Sequence, residues 1–280
     1  MKALISKNKY LITLVIVSLV LCGANYAPGT ILSGWDTLHP EFNFWDYFSR
    51  IFFGVWQQHQ GLGALATQAH ASEIARMFVY FPMSIFIPEN LLRYSYFFLT
   101  LILGPVGTYL FLKHIVFKKD DFQNEIVSFC GGLFYLLNLA ILQQFYVPFE
   151  MFATHFASLG FTFLFALKYI EEKSRKYLIL YSITAFLSAS IAHTSTLWFA
   201  FFGIFSIFLL AYSFVKRDKS IFKSSLFLLV LTIVINSFWL LPNIYFILTE
   251  ASAISQAKIT SLFSRKLLRK MRLMEQFLIY

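Results

Sequence analysis

The feature that most constrains this chain is its succession of long apolar runs separated by short basic clusters. Residues 10–26, 94–117, 125–145, 155–170, 177–192, 196–215 and 224–248 are each dominated by Leu, Ile, Val, Phe and Ala. About 20 such residues are what a helix needs to cross the hydrocarbon core of a bilayer, where only helices and closed barrels satisfy every backbone polar group. The composition agrees. The chain is 58% hydrophobic and 13% charged, whereas a water-soluble domain carries about 25% charged residues to cover its core. Disorder, a collagen repeat and a nucleic-acid-binding domain are excluded on the same ground. Cys22 and Cys130 both lie in apolar runs, so a disulfide framework or a cysteine metal quartet is excluded as well.

The net charge of +9 belongs to loop clusters. Lys113, Lys118 and Lys119 follow the second run, Lys168, Lys173, Arg175 and Lys176 the fourth, and Lys216, Arg217 and Lys219 the sixth. With the N-terminus inside, all three clusters fall on the cytoplasmic side, as the positive-inside rule requires. Lys2, Lys7 and Lys9 precede the first run, which reads as an uncleaved anchor because Ala24-Asn25-Tyr26 makes a poor signal-peptide cleavage site. The expectation is an all-α polytopic transmembrane helix bundle of about seven spans, multi-pass in the plasma (inner) membrane. Residues 74–87 are apolar but short and carry Pro82 and, just beyond, Pro88. Counting them as a full span would put Lys118 and Lys119 outside, so they read as a re-entrant or interfacial helix, with a short hairpin as the alternative.

The first outer loop, about 27–73, holds an interfacial helix entered through Pro40. Phe42, Trp45, Phe48, Phe52, Val55 and Trp56 fall on one face of it, and Asn43, Asp46, Arg50 and Gln57 on the other. The polar groups of interest gather on the outer side: Asp36, His39 and Glu41 at the start of the loop, His70 and Glu73 at its end, Glu150 and His155 between the third and fourth spans, and His193 between the fifth and sixth. Carboxylates beside imidazoles at a membrane surface are acid–base or substrate-binding equipment. For Asp36 the functional reading is preferred. His39 and Glu41 serve equally well as solvated or helix-start residues. For Glu150, His155 and His193 a structural role is the more economical reading. Asn236, Ser237 and Pro242 in the last run mark a kink repaired by neighbouring helices. Walker-type, G-x-G-x-x-G, H-E-x-x-H and G-x-S-x-G motifs are absent. So are an intramembrane charge series and a clear internal repeat.

The strings Gly34-Trp35-Asp36-Thr37-Leu38-His39-Pro40-Glu41-Phe42-Asn43, Val55-Trp56-Gln57-Gln58-His59-Gln60-Gly61-Leu62-Gly63 and Leu103-Gly104-Pro105-Val106-Gly107-Thr108-Tyr109 carry a resemblance. With the long first loop and flat helix, the chain resembles the integral-membrane glycosyltransferases of the GT-C type. Over most of its length it looks like the N-terminal membrane region of proteins similar to the mycobacterial arabinofuranosyltransferases. The resemblance implies a polyprenyl-phosphate sugar donor, a cell-envelope glycan or protein acceptor, and transfer at the extracytoplasmic face. It maps the carboxylate that deprotonates the acceptor onto Asp36. A phosphate leaving group calls for cations, and Arg50, Arg76 and Arg93 are the arginines at or near the outer face. His39 and Glu41 would position substrate or a divalent metal ion, the one cofactor left open. Asp36 is followed by Thr37, where many GT-C enzymes have a second acid.

Residues 1–248 are thus expected to be a GT-C-like transmembrane module and 249–280 a basic tail. Arg265, Lys266, Arg269, Lys270 and Arg272 in that tail fall outside by this topology, against the positive-inside rule. A fragment or an aberrant end is the expectation, and the catalytic machinery would then be incomplete. Two rivals stand beside the enzyme: a non-catalytic membrane protein that binds or moves polyprenyl lipid or scaffolds an envelope complex, and a transporter. The lipid bilayer is a partner on every reading; nucleic acid is not.

Overall fold

The computed structural model describes residues 8–34, 39–53, 56–57, 64–65, 69–118, 121–139, 141 and 148–256. Among them the fold is all-α. In chain order the helices are α1 (Lys9–Ala24), α2 (Phe44–Phe53), α3 (Ile74–Ser84), α4 (Glu89–Phe111), α5 (Phe122–Leu137), α6 (Glu150–Glu172), α7 (Arg175–Leu187), α8 (Ser195–Lys216), α9 (Lys219–Ile235) and α10 (Ser237–Gln256). A 3-10 turn, Pro40–Phe42, leads towards α2, and another, Ala71–Glu73, runs into α3. Trp56–Gln57 pairs antiparallel with Ala64–Leu65, the one strand ladder among the described residues.

Three stretches are long and apolar enough to cross a membrane: Glu89–Val116, Glu150–Glu172 and Arg175–Lys216. The pair α9 and α10, bent by 78° at their junction, passes the same test if taken as one broken span. The stretch Arg175–Lys216 doubles back on itself. Phe205 stacks on Tyr181 at 6.1 Å between ring centroids, and the Tyr212 hydroxyl donates to Glu171 at 3.0 Å. The 3-10 turn Ser188–Thr194 is where the direction reverses. Outward faces are apolar along these helices: Phe134, Ile207 and Phe214 are all more than two-thirds exposed. Water would not tolerate so continuous an apolar surface, and a membrane protein is compatible with it.

The centre of the bundle is α4 against α6, and glycine is why they meet so closely. A Cβ on Gly160 of α6 would lie 2.5 Å from the backbone nitrogen of Thr108 and 2.6 Å from the backbone carbon of Gly107, both on α4. Where lipid supplies no hydrophobic drive between helices, such close backbone approach is a main source of packing energy. Trp198, Phe205, Tyr181, Leu228 and Trp239 build the large core of α6–α10. A second, separate core of Tyr47, Ile51, Met77, Tyr80, Leu92 and Tyr96 seats α2 and α3 on the start of α4.

Three expectations are refined. The helix in the first loop forms, but the face it packs against the protein carries Tyr47 and Ile51, while Trp45, Phe52 and Phe53 point outward. The 74–87 segment contains a helix of 11 residues, too short to span at about 1.5 Å per residue. The last run is not straight. Asn236 occupies the break and repairs it: its Nδ2 donates to the carbonyls of Ala185 at 3.3 Å and Thr232 at 2.9 Å, and its Oδ1 accepts from Trp239 Nε1 at 3.0 Å.

Candidate functional site

α4 begins at Glu89, directly after Pro88, and α6 at Glu150. Both helices therefore start several residues ahead of the apolar runs that reveal them, because an acidic residue in the first turn suits the helix dipole. The early starts place Glu150 in the first turn of α6 and Arg93 just past the first turn of α4, two adjacent helices at one end of the bundle. The entry to α2 and the start of α3 are seated on the same end, and they bring Glu41, Tyr47, Glu73 and Arg76.

The result is a chain of alternating charge. His39 Nδ1 meets Glu41 Oε1 at 2.9 Å, and Arg93 Nε donates to the same oxygen at 3.1 Å. Arg93 Nη1 reaches Glu150 Oε1 at 2.5 Å. Glu150 also faces Arg76 Nη1 at 3.5 Å, and Arg76 pairs with Glu73 through Nη2 and Oε2. Tyr47 closes the far end, accepting from Arg76 at 2.8 Å and donating to Glu73 at 3.0 Å. Arg93 is 1% exposed, and Glu41, Glu73, Arg76 and Glu150 are all buried.

Removing five charges from water costs several kcal/mol per ion unless each is paired, and here each carboxylate touches a guanidinium. Three carboxylates against two guanidiniums leave one excess negative charge, with His39, the least buried member, beside it. Burial pushes the Glu41 carboxyl up. The Arg93 charge, its own backbone N–H and the bonds from His39 and Arg93 outweigh that, so the group sits below its ordinary value. Burial likewise disfavours the charge on Arg76, but Glu73, Tyr47 and Glu150 reverse this and hold it well above its ordinary value.

Two features give the cluster chemical capacity. His39 is oriented by a carboxylate on one nitrogen and contacts the Ser33 hydroxyl with the other at 3.2 Å, an arrangement able to take or give a proton. Glu73 Oε1, Arg76 Nε and the Tyr80 hydroxyl are buried and have no hydrogen-bond partner among the described residues, unusual for groups that native structures nearly always satisfy. Beside the cluster runs an apolar groove of about 280 Å³, walled by Leu21, Leu32, Phe97, Leu101 and Leu136 with Asn25 and Tyr94 among its lining. Tyr94, next to Arg93, bonds Thr30 at 2.8 Å and so ties the chain leaving α1 to α4.

Of the residues singled out in the sequence, His39, Glu41, Glu73, Arg76, Arg93 and Glu150 converge. Arg50, in the last turn of α2, takes part in none of the ion pairs among the described residues. His155 is buried on another face of α6, its ring edge-on to Phe201 at 4.8 Å. His193 is half-buried in the turn between α7 and α8. Asp36 lies outside the described residues. Among the described residues no three His, Cys, Asp or Glu side chains converge as metal ligands. Tyr47 and Tyr80 were not foreseen as site residues. The signals available were the Glu73–Arg76 spacing, which pairs on one helix face, and the lone tyrosine of α2, Tyr47, on the face opposite its exposed aromatics. No known protein family, curated protein or solved structure matches the chain.

Proposed function

We propose that this chain is the membrane module of a GT-C-like glycosyltransferase, transferring a sugar from a polyprenyl-phosphate donor to a cell-envelope glycan or protein. In this reading α1, α4, α5, α6, α7, α8 and the bent α9–α10 pair are the membrane crossings. The N-terminus is cytoplasmic and the charge cluster opens to the outer face, with α2 and α3 lying in the interface above the bundle.

The observation that supports it is the buried ionic chain itself. Ionisable groups in an apolar bundle are expensive, and function is the default reason to retain them. This chain of charges links the first outer loop, through Glu41, Tyr47, Glu73 and Arg76, to the helices that carry Arg93 and Glu150. Its role is positioning: it clamps His39 and Glu41 of the first outer loop over the mouth of the bundle. Asp36 is the proposed base that takes the acceptor's proton as the new C–O bond forms. His39 supplies a hydrogen bond to the acceptor, and the groove below Tyr94 suits the isoprenoid chain of the donor. Arg76 and Arg93 are already neutralised by carboxylates. They would favour a departing phosphate only as those contacts loosen.

The test is sugar transfer by membranes containing the chain, supplied with a panel of polyprenyl-phosphate sugars, against Asp36→Asn at equal insertion. Transfer by the native chain that falls by at least about 100-fold in the variant supports the reading. Transfer that survives in Asp36→Asn removes Asp36 as the base. No transfer by either, with donor lipid still bound, leaves the lipid-binding rival in its place.

A further inference from the structure

At the opposite end of the bundle we infer a binding site for an anionic phospholipid in the cleft between α8 and α9. It goes beyond the transfer reading and rests only on the membrane embedding that reading includes.

α8 ends at Lys216. Arg217 then takes a left-handed conformation, with φ of 52°, and Asp218 caps α9 by accepting from the Ser220 N–H at 2.7 Å. This turn opens a cleft of about 960 Å³. Its walls are Ile207, Leu210, Phe214 and Phe222, all exposed, and its rim carries Arg217 and Lys219. The Ser213 and Ser225 hydroxyls meet beneath the turn at 2.8 Å and hold the two helices together there.

What marks the cleft is a pair of cations set at the head of an apolar wall. At this same end Lys118 pairs with Glu171 and Lys168 with Glu172, while Lys173, Arg175, Lys176, Lys216 and Lys223 take part in none of the ion pairs among the described residues and border no such wall. Among the described residues neither Arg217 nor Lys219 takes part in an ion pair. Asp218 is the single acid in the turn, and its carboxylate is engaged with the backbone at the start of α9. The first turn of α9 leaves the Lys219 and Ile221 N–H groups unused by the helical ladder and adds the positive end of its dipole.

A headgroup phosphate fits this rim of two cations at a helix start, and acyl chains fit the apolar wall that continues down from it. A free phosphate would leave that wall bare. Basic pockets between helices on the cytoplasmic side are a recurrent seat for acidic lipid headgroups.

The experiment compares retention of dioleoyl-phosphatidylglycerol and dioleoyl-phosphatidylcholine by the full chain in mixed micelles, read by native mass spectrometry. The native chain is expected to prefer phosphatidylglycerol. The double variant Arg217→Gln/Lys219→Gln should lose that preference by on the order of tenfold, and Arg217→Lys should keep most of it. Inorganic phosphate at millimolar concentration should not displace the lipid. Equal preference in the native chain and the double variant, or displacement by phosphate, overturns the site. Alkaline carbonate washing of the membranes keeps the two readings apart. A chain that stays in the pellet yet shows no preference refutes the lipid site alone, and one that washes off refutes the embedding beneath it.

Discussion

Arg93 stands between two carboxylates that nothing else at its position could hold apart. Its Nε serves Glu41 and its Nη1 serves Glu150, a division that needs the planar fork of a guanidinium. Arg93→Gln should therefore destabilise the protein by about 3–5 kcal/mol, read as a drop in midpoint in denaturant unfolding in detergent. Arg93→Lys should recover little of it, because a single ammonium cannot satisfy both partners. Glu41 adds a dependence on pH. A carboxyl held below its ordinary value contributes stability that is complete above that value and is lost as the pH falls through the lowered one. The native chain should lose stability on acidification through that window, and Glu41→Gln should show a shallower loss in thermal melts run across the same pH series. These charges were only half legible in the sequence. Arg76 and Arg93 stand out because arginine is rare in apolar runs. That Glu150 is their shared partner follows from two helices starting earlier than their hydrophobic runs, which periodicity does not register.

Helix packing turns on positions where a single methyl decides. At Gly160 an added Cβ meets the backbone of Thr108 and Gly107, which cannot yield as a side-chain tip can. Gly160→Ala should cost about 1–3 kcal/mol through forced separation of α4 and α6. Gly203, in the middle of α8, has nothing within 4 Å of where a Cβ would sit. Gly203→Ala should be neutral or stabilise by up to about 1 kcal/mol, since only the helix-propensity term remains. Thermal shift of the two variants side by side checks both. The junction of α9 and α10 offers a third case: Asn236→Ala leaves the Trp239 indole N–H without its acceptor and takes one donor from the Ala185 and Thr232 carbonyls, which keep the Ser188 hydroxyl and the residue 236 N–H, and it should cost about 1–3 kcal/mol. Long apolar helices were the easiest elements to read, because their composition alone sets them off. The seat of α2 was harder. Aromatics cover both of its faces, and a pattern of aromatic spacing cannot tell which one meets protein; packing of Tyr47 against α3 and α4 decides it.

At the scale of the whole molecule, α6 joins the two ends of the bundle. Glu150 sits among the buried charges at its start, and at its other end Glu171 and Glu172 pair with lysines. The 23 residues of α6 make a rod of about 1.5 Å per residue, close to the thickness of a bilayer core. The buried charge cluster is expected at the extracytoplasmic face and the basic turns at the cytoplasmic face. In a background where Cys22 and Cys130 are replaced by serine, a single cysteine at Ser33, beside the cluster, and another at Lys176, in the first turn of α7, report the two ends. A membrane-impermeant maleimide applied to intact cells should label Ser33→Cys at once and Lys176→Cys only after permeabilisation. Labelling of Lys176→Cys in intact cells with Ser33→Cys protected, or equal labelling of both, would contradict a site that opens to the extracytoplasmic face.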